Sequence, residues 1–383
     1  MNRRELLVGG TAVATAVIMP RVAFAADAKT INVYSNSDAN ITDFLTNVVK
    51  PGFEAANPGA TVNVVIARAG GALDAIAARA LAALSAKQDP QVDFIEEYDP
   101  NLPSGGIAAG LWVDWSKSGI SNYSKVNKLA IQTPFSLPWR GSQVLLAYDS
   151  TKLSKDKVPT TWDDLIAWIK ANPGQFIYNR PDKGGSGGNF VYRAIYQANG
   201  KDPSKFTVDN WSDATSPAML DAGFKLLNDL TPYLYNKGAY TSGNTQSVQL
   251  LAQGAVTMIP AWSDQSLQAI AQAVLPDTTG VAQLADLGFG GGFTQAVVPT
   301  DAANKDLALK LADYVLSSDV QSKIVTDLGG FPGVDWSNLS ADLQAKYAAV
   351  VPKSIPSWPD GKWTTAVNDG WYRTVAPNIK QGS

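Results

Sequence analysis

The chain of 383 residues contains no cysteine and no histidine. The absence of cysteine excludes disulfide bonds, thiolate nucleophiles and thiolate metal ligands. The absence of histidine removes the commonest general base, the usual serine triad and the usual zinc ligands. An enzyme of this composition would have to use carboxylates, tyrosine or lysine, as a glycosidase built on two carboxylates does. The composition therefore favours binding over catalysis, and we expect no metal and no cofactor.

The first 25 residues have the order of a secretory signal peptide. Arg3 and Arg4 precede an apolar, alanine-rich stretch that runs to Ile18, and Ala23-Phe24-Ala25 matches a small-residue cleavage site. The paired arginines resemble a twin-arginine signal, with an ordinary secretory signal as the alternative. The apolar stretch is shorter than the roughly 20 residues that span a bilayer. We expect cleavage near Ala25, no stable membrane anchor, and a monomer in the periplasm.

Long basic runs are absent as well. The whole chain has a formal net charge of −3, from 31 basic and 34 acidic residues. The signal segment contains three of the arginines and one glutamate, so its removal leaves 28 basic and 33 acidic residues and a net charge of −5. An acidic chain without a basic stretch is unsuited to a polyphosphate backbone. We therefore expect no nucleic-acid partner.

Strand and helix patterns alternate along the mature chain, whose length fits two domains. Residues 30–35 and 61–67 have the β-branched and aromatic composition of strands, and residues 41–56 between them have a helical pattern. A further helix and a third strand at residues 92–96 continue this order, which predicts a parallel sheet with right-handed crossovers. An extended segment at residues 135–148, interrupted by Pro138, precedes a second α/β unit.

Four stretches resemble the substrate-binding proteins of bacterial ABC importers, the extracellular solute-binding group. They are INVYSNSDANITDFLTNVVKPGFEAANPGATVNVV, LLAYDSTKLSKDKVPTTWDDLIAW, LLAQGAVTMIPAWS and NKDLALKLADYVLSSDVQSKIVTDLGGFPG. The resemblance implies an α/β fold of two lobes, each a doubly wound and mostly parallel sheet, joined by hinge strands with the ligand between them. It also implies membrane ABC permease subunits as partners. We expect the first lobe to span residues 26–137 and the second 138–290, and residues 291–383 to return to the first lobe and form the C-terminal helices.

Polar residues follow each predicted strand of the first lobe. Ligands of open α/β sheets bind outside the carboxyl ends of the strands, so these loops are candidate binding loops. Helix capping, a tight turn and a solvated acidic loop are the respective alternatives. The candidates here are Asn36, Ser37, Asp38, Asn40, Arg68, Glu96, Glu97 and Tyr98.

A glycine-rich loop at residues 180–189 is the strongest local signal. It lies between a predicted strand and a predicted helix, with two cations upstream. Successive backbone N–H groups and the helix dipole would suit a phosphate, phosphonate or carboxylate. The loop is not a P-loop, because no G-K-[ST] ends it, and a mobile surface loop is the alternative. The candidates are Arg180, Gly185, Ser186, Gly187 and Asn189.

Aromatic residues complete the candidate set. Trp139 lies in the crossing segment, Trp262 and Asp264 follow a short predicted strand, and Phe293 follows three glycines. A tryptophan beside a carboxylate suits stacking on a sugar or a cation–π contact with an amine, and structural packing is the alternative for each ring. Ferric iron is disfavoured as a ligand, because the relatives that hold it use tyrosines that are often adjacent, and this chain has no adjacent tyrosine pair.

The sequence thus predicts the solute-binding component of an ABC importer, which captures a small polar organic solute with an anionic or amine group. A carbohydrate or polyol is the alternative ligand. A periplasmic hydrolase is the alternative from another class, and would need two facing acids roughly 5–9.5 Å apart. A receptor subunit that reports ligand occupancy to a sensor protein is a third possibility.

Overall fold

The computed structural model describes residues 29–68, 71–347, 356, 359 and 361–381, so the predicted signal peptide lies outside the described residues. The strands are Thr30–Ser35 (β1), Thr61–Ile66 (β2), Phe94–Ile95 (β3), Leu137–Asp149 (β4), Met258–Trp262 (β5), Thr279–Ala282 (β6), Gly291–Ala296 (β7) and Phe331–Pro332 (β8). The helices are Ala39–Phe44 (α1), Lys50–Ala56 (α2), Ala72–Ala86 (α3), Trp162–Ala171 (α4), Ser186–Ala198 (α5), Ser216–Leu230 (α6), Asn244–Ala252 (α7), Ser263–Ala271 (α8), Lys305–Val315 (α9), Ser318–Thr326 (α10), Ala341–Tyr347 (α11) and Lys362–Thr374 (α12).

The first sheet is parallel and has β1 at its centre, in the order β2-β1-β3. Ile31, Val33 and Ser35 of β1 point into the buried side, in the alternation that a strand imposes. A five-residue π-helix at Leu45–Val49 joins α1 to α2, so residues 39–56 form one helical segment. The loops that follow the carboxyl ends of β1 and β3 therefore lie at the same edge of this sheet.

Strand β4 is 13 residues long and connects the two halves of the molecule. Its first half pairs antiparallel with β7 and β8, and its second half pairs antiparallel with β5 and β6. Parallel pairing in the second half of the molecule is limited, among the described residues, to bridges such as Phe176 with Met258 and Asn179 with Thr241. Two segments that the sequence predicts as crossings, β4 and β7, thus lie side by side.

Buried side chains divide into separate cores. One core combines β1–β3, the start of β4 and helices α9 and α10. Another combines the end of β4 with helices α4–α8. The two-lobed α/β fold is confirmed by this arrangement and by the structural neighbours described below. The exact boundaries after residues 137 and 290 stay a prediction. Helix α12 packs against α6, and its Trp363 and Trp371 belong to the second core.

None of the helices within the described ranges combines the length and the apolar composition needed to cross a membrane.

Candidate functional site

A cavity of about 460 Å³ lies between the two lobes, where the loop after β1 faces β4, β7 and the start of α8. A second chamber of about 460 Å³ adjoins it on the first-lobe side and shares Asn36, Glu97 and Phe293 with it. The lining residues of the first chamber are Asn36, Ser37, Asp38, Asn40, Ile41, Glu97, Gln132, Arg140, Ser142, Gly184, Trp262, Asp264, Gln265, Gly291, Gly292, Phe293 and Thr294.

A larger depression of about 770 Å³ lies elsewhere, around Lys29, Pro58 and Lys305. Lys29 precedes β1, so this depression is at the end of β1 opposite the cleft. Its lining comes from the first lobe alone. We therefore take the inter-lobe cavity as the candidate site.

The loop after β1 reaches across the cleft. Asp38 is the N-cap residue of α1, but its side chain makes no capping hydrogen bond. Its Oδ2 instead accepts a hydrogen bond from Asn244 Nδ2 at 3.4 Å, and Asn40 Nδ2 donates to Asp264 Oδ2 at 3.2 Å. Both contacts join the two lobes. Plain capping therefore does not account for these residues.

A buried acid lies beneath this loop. Glu96 is fully buried, and its Oε1 accepts a hydrogen bond from Ser35 Oγ at 2.8 Å and another from Ser37 Oγ. Burial raises the pKa of Glu96, although the nearby guanidinium of Arg140 opposes that rise. Glu96 therefore has no exposed surface in the cavity and supports Ser37 in this conformation, and its expected contact with a ligand stays a prediction. The neighbouring Glu97 is exposed and lines both chambers.

Arg140, rather than Trp139, faces the cavity. The pairing of β4 with β7 slips between Pro138 and Arg140, so Trp139 has no partner residue in β7. Proline offers no N–H to the ladder, and a bulge re-aims the following side chains. Trp139 is 1% exposed and its indole N–H donates to Glu96 O at 2.9 Å. In this conformation Trp139 therefore lies in the first core and is not among the lining residues, and its expected contact with the ligand stays a prediction.

Asp264 lies in the first turn of α8, where its charge is favoured by the helix dipole. Its Oδ1 accepts a hydrogen bond from Ser142 Oγ at 2.6 Å, in addition to the Asn40 contact. Burial raises the pKa of Asp264, while the charge of Arg140 and these hydrogen bonds act in the opposite direction. Asp264 thus presents a desolvated carboxyl group to the cavity.

Hydrogen-bonding groups at the glycine-rich loop already have partners within the protein. Ser186 is fully buried at the start of α5, and its N–H and Oγ lie 3.3 Å and 2.8 Å from Asn244 Oδ1. Asn189 is buried and donates to Gly185 O at 3.1 Å. A Cβ atom on Gly187 would lie 1.7 Å from Asn179 O, so this glycine allows close packing. The N-terminus of α5 thus has an internal acceptor, and Ser186, Gly187 and Asn189 are not among the residues that line the cavity. Their expected contact with the ligand stays a prediction.

The rest of this loop supports its neighbours. A Cβ atom on Gly185 would lie 3.0 Å from the Trp262 ring, so Gly185 packs behind that ring. Trp262 Nε1 donates to Gly184 O at 2.9 Å, and Gly184 lines the cavity. Arg180 N donates to Thr241 O at 3.0 Å, and Arg180 is not among the lining residues. Its expected ligand contact is not supported by this conformation.

Two rings and two further candidates line the chambers. Trp262 and Phe293 line the main cavity, and Arg68 and Tyr98 line the adjoining chamber. Arg68 is held by its own lobe, since its Nε donates to Ser37 O at 2.8 Å and its Nη2 to Thr42 Oγ1 at 3.0 Å. Tyr98 donates its phenol O–H to Asp74 at 3.1 Å, and burial together with this acid raises its pKa.

The lining residues that were not among the sequence candidates are Ile41, Gln132, Arg140, Ser142, Gly184, Gln265, Gly291, Gly292 and Thr294. The available signal for Arg140 was that it is the one charged residue in the predicted crossing segment at residues 135–148. The bulge that decides between Arg140 and its neighbour depends on pairing with β7, which a local pattern does not contain. Within the described ranges, no group of three or more acids is placed to hold a metal ion.

Comparisons with known proteins identify the family and the fold. The family model for the bacterial extracellular solute-binding protein matches residues 50–350. No curated protein matches the chain significantly in sequence.

Solved structures share the fold at low sequence identity. An ABC transporter solute-binding protein from Thermotoga lettingae, bound with α-D-tagatose, is 19% identical with a TM-score of 0.65, and the alignment covers 92% of this chain and 95% of that one. The maltotriose-binding protein of Thermus thermophilus is 17% identical with a TM-score of 0.64 and the same coverages. The apo ferric ion-binding protein A of Pasteurella haemolytica is 13% identical with a TM-score of 0.60, covering 93% and 100%. These likenesses establish the fold alone.

Proposed function

The chain belongs to the bacterial extracellular solute-binding protein family, and on that premise we propose that it captures a small polar organic solute with an amine group in the inter-lobe cavity. The family consists of binding proteins that deliver small ligands to ABC permeases, rather than enzymes. We further propose that this chain is exported by its first 25 residues, acts in the periplasm as a monomer and hands its ligand to permease subunits.

The charge of the cavity carries the proposal. Three carboxylates, those of Asp38, Glu97 and Asp264, line it together with a single guanidinium, that of Arg140. An excess of acid over base in a partly desolvated cleft favours a cationic donor. The rings of Trp262 and Phe293 supply apolar surface and a face on which a cation can rest.

The N–H group at the start of α5 already has an acceptor within the protein. The glycine loop therefore gives little support for an anion at the second-lobe wall of the cavity. The N-terminus of α5 directs the Ser186 N–H at Asn244 Oδ1, 3.3 Å away. An anionic group of a ligand would have to displace that side chain, which also donates to Gly184 O. Of the two groups that the sequence left open, the amine is therefore the better supported at this wall.

We propose that binding closes the cleft by bending at β4 and β7, with lobe boundaries near residues 137 and 290. The long strand β4 supports this, because its two halves belong to different cores. Small-angle scattering with and without saturating ligand is the measurement, and compaction is the expected result.

A thermal-shift screen tests the ligand class, because a ligand that binds only the folded state raises stability by mass action. We expect amine-bearing solutes to raise the melting temperature and sugars, polyols, organic acids and phosphonates without an amine to leave it unchanged. A response confined to sugars would favour the carbohydrate alternative, for which the two rings and the amides of Asn36 and Gln132 are suitable.

The hydrolase alternative has weaker support. It needs two facing acids that are available to protonate a leaving group and to activate a water. Of the three acids that line the cavity, Asp264 already accepts hydrogen bonds from Ser142 and Asn40, and Asp38 accepts one from Asn244. Incubation with candidate ligands followed by mass spectrometry should recover each ligand unchanged.

A further inference from the structure

Arg140 has hydrogen-bonding capacity that the protein does not use. Its side chain is 7% exposed and lines the inter-lobe cavity. Its closest polar contacts all use Nη2, including the hydrogen bond to Ser37 Oγ at 3.0 Å. Across the described part of the chain, its buried Nε has no hydrogen-bond partner. A buried donor without an acceptor costs free energy, more so when the donor is charged.

The two acids beside Arg140 do not supply the missing hydrogen-bond acceptor. Arg140 Nη2 lies 3.6 Å from Glu96 Oε2 and 3.5 Å from Glu97 Oε2. Charge-assisted N–H···O bonds are usually about 2.7–2.9 Å long. The guanidinium is therefore close to both acids, but neither contact has the length of a strong charge-assisted hydrogen bond.

A ligand with an ammonium group alone would not complete this site. It would suit Asp38 and Asp264, but it would place a like charge near Arg140 and leave the buried Nε donor without an acceptor. A guanidinium fork matches a planar or tetrahedral oxyanion, which can accept two parallel hydrogen bonds. Arg140 on β4, at the floor of the cleft, thus suits a negative group of the ligand. Asp264 of α8, at the second-lobe wall, suits a positive one.

We propose that the natural ligand is a zwitterion, whose cationic nitrogen is received by Asp264 and Asp38 and whose carboxylate or phosphonate is received by Arg140. This inference rests on the proposed function and specifies its ligand class. It places the anionic end on β4 instead of the glycine loop, where the sequence predicted it.

Calorimetry on the full mature protein with matched probes tests the inference. The probes are the ω-amino acids from 3-aminopropanoate to 6-aminohexanoate, with the amide, the simple amine and the deaminated acid of each length, and 3-aminopropylphosphonate. We expect one amino acid or the phosphonate to bind at least about tenfold more tightly than its own amide and amine. Comparison of 3-aminopropylphosphonate with the amino acids shows whether Arg140 receives a phosphonate or a carboxylate.

Substitution of Arg140 separates recognition from structure. Arg140→Gln should remove the preference for the acid over the amide, so that the ratio of their affinities falls about tenfold towards one, and Arg140→Lys should retain part of it. A purely structural role would weaken both probes equally. Arg79→Gln, which removes an exposed arginine on α3, is the matched control and should leave the ratio unchanged. If Arg140→Gln fails to fold, the affinities of the probes for the wild-type protein and for Arg140→Lys still test the proposal.

The outcomes distinguish the two proposals. If amines bind, Asp264→Asn abolishes their binding, and the acid, amide and simple amine bind equally, the zwitterion is refuted while the proposed function stands. If no amine-bearing compound binds, the proposed function fails first and the zwitterion fails with it. Tighter binding by the deaminated acid than by the amino acid would overturn the assignment of the positive group.

Discussion

Two polar regions face the cleft and differ in how far the protein satisfies its own groups. At the glycine loop, the first N–H group of α5, the carbonyl of Gly184 and the indole of Trp262 all have internal partners. At the floor, Arg140 Nε has no hydrogen-bond partner within the described chain, and Asp264 is buried with a raised pKa. The loop has the stronger sequence signal, and the floor has the greater capacity for a ligand.

The difference teaches that a helix N-terminus becomes an anion site only when nothing in the protein reaches it first. Asn244 lies 58 residues after Ser186 in the sequence and supplies the acceptor. The glycines then serve close packing, since a side chain at Gly187 would overlap Asn179 O. The following experiments test whether the loop is a packing element and the floor a binding element.

The largest expected effect is on stability. Gly187→Ala should destabilise the protein by about 3 kcal/mol, because the new Cβ would overlap a backbone oxygen that cannot easily move. Gly292→Ala is the matched control, since its Cβ would meet no atom within 4 Å, and it should cost less than about 1 kcal/mol. Urea denaturation followed by circular dichroism gives both values. Equal stabilities of the two variants would show that the glycine loop is open rather than closely packed.

Asp264→Asn should weaken binding of an amine by about 1.5–3 kcal/mol, the usual range for a hydrogen bond to a charged group. It should also raise the melting temperature of the ligand-free protein, because it removes a charge that burial disfavours. Calorimetry and thermal denaturation measure the two effects. Asp221→Asn, at an exposed position on α6, is the control and should change neither.

The stability gained by Asp264→Asn should depend on pH. Because the pKa of Asp264 is raised in the folded state, wild-type stability falls as pH rises from its ordinary pKa of 3.8 through the raised value. At lower pH the carboxyl group is neutral in both states, as the amide always is. The difference in melting temperature between variant and wild type should therefore shrink from pH 7 towards about pH 4. A difference that grows on acidification would contradict this assignment.

Trp262→Ala should weaken ligand binding by roughly 1–3 kcal/mol if the ring packs on the ligand, as is usual for a buried aromatic contact. Trp262→Phe retains a ring but loses the hydrogen bond from Nε1 to Gly184 O. It should therefore bind more tightly than the alanine variant. Calorimetry on both variants separates the ring from its hydrogen bond, and wild-type affinity in the alanine variant would exclude Trp262 from the site.

The smallest effect is expected at the cleft edge. Asn40→Ala removes one contact between the lobes, the 3.2 Å hydrogen bond to Asp264, at a cost below about 1 kcal/mol. Small-angle scattering should show a slightly larger radius of gyration for the ligand-free variant. Asn63→Ala removes an amide contact of similar length, 3.0 Å to Asn32 within the first lobe, and should leave the radius unchanged. An equal response from both variants would mean that the Asn40 contact does not hold the lobes together.

Much of the fold could be predicted from the sequence because its signals are local. The strand at residues 30–35, the helices around residues 41–56 and the extended segment near residue 140 follow from hydrophobic periodicity and from proline and glycine positions, and each occurs close to its predicted bounds. The loops after β1 and β3 also reach the cleft as expected, because the carboxyl ends of parallel strands share one edge of the sheet.

What the sequence could not predict depends on tertiary partners. Ser186 was a candidate ligand contact, and it is buried where its Oγ lies 2.6 Å from Asn179 Oδ1 and 2.8 Å from Asn244 Oδ1. Trp139 and Arg140 are adjacent, so deciding which one faces the ligand requires the register between β4 and β7. Glu96 and Glu97 are also adjacent, and Glu96 is buried against Ser35 of β1 whereas Glu97 is exposed and lines the cavity. Such choices depend on pairing, which composition and spacing do not determine.

The slip at Pro138 has a consequence for how this protein can change over generations. The same short step in β4 orients Trp139 into the first core and Arg140 into the cavity, on the strand that joins the lobes. A one-residue insertion or deletion there would exchange the two environments and alter the angle between the lobes together. A change at this position would therefore affect ligand preference and the coupling between the lobes at the same time, whereas a change at Asn36, in the loop after β1, would affect the ligand contact alone.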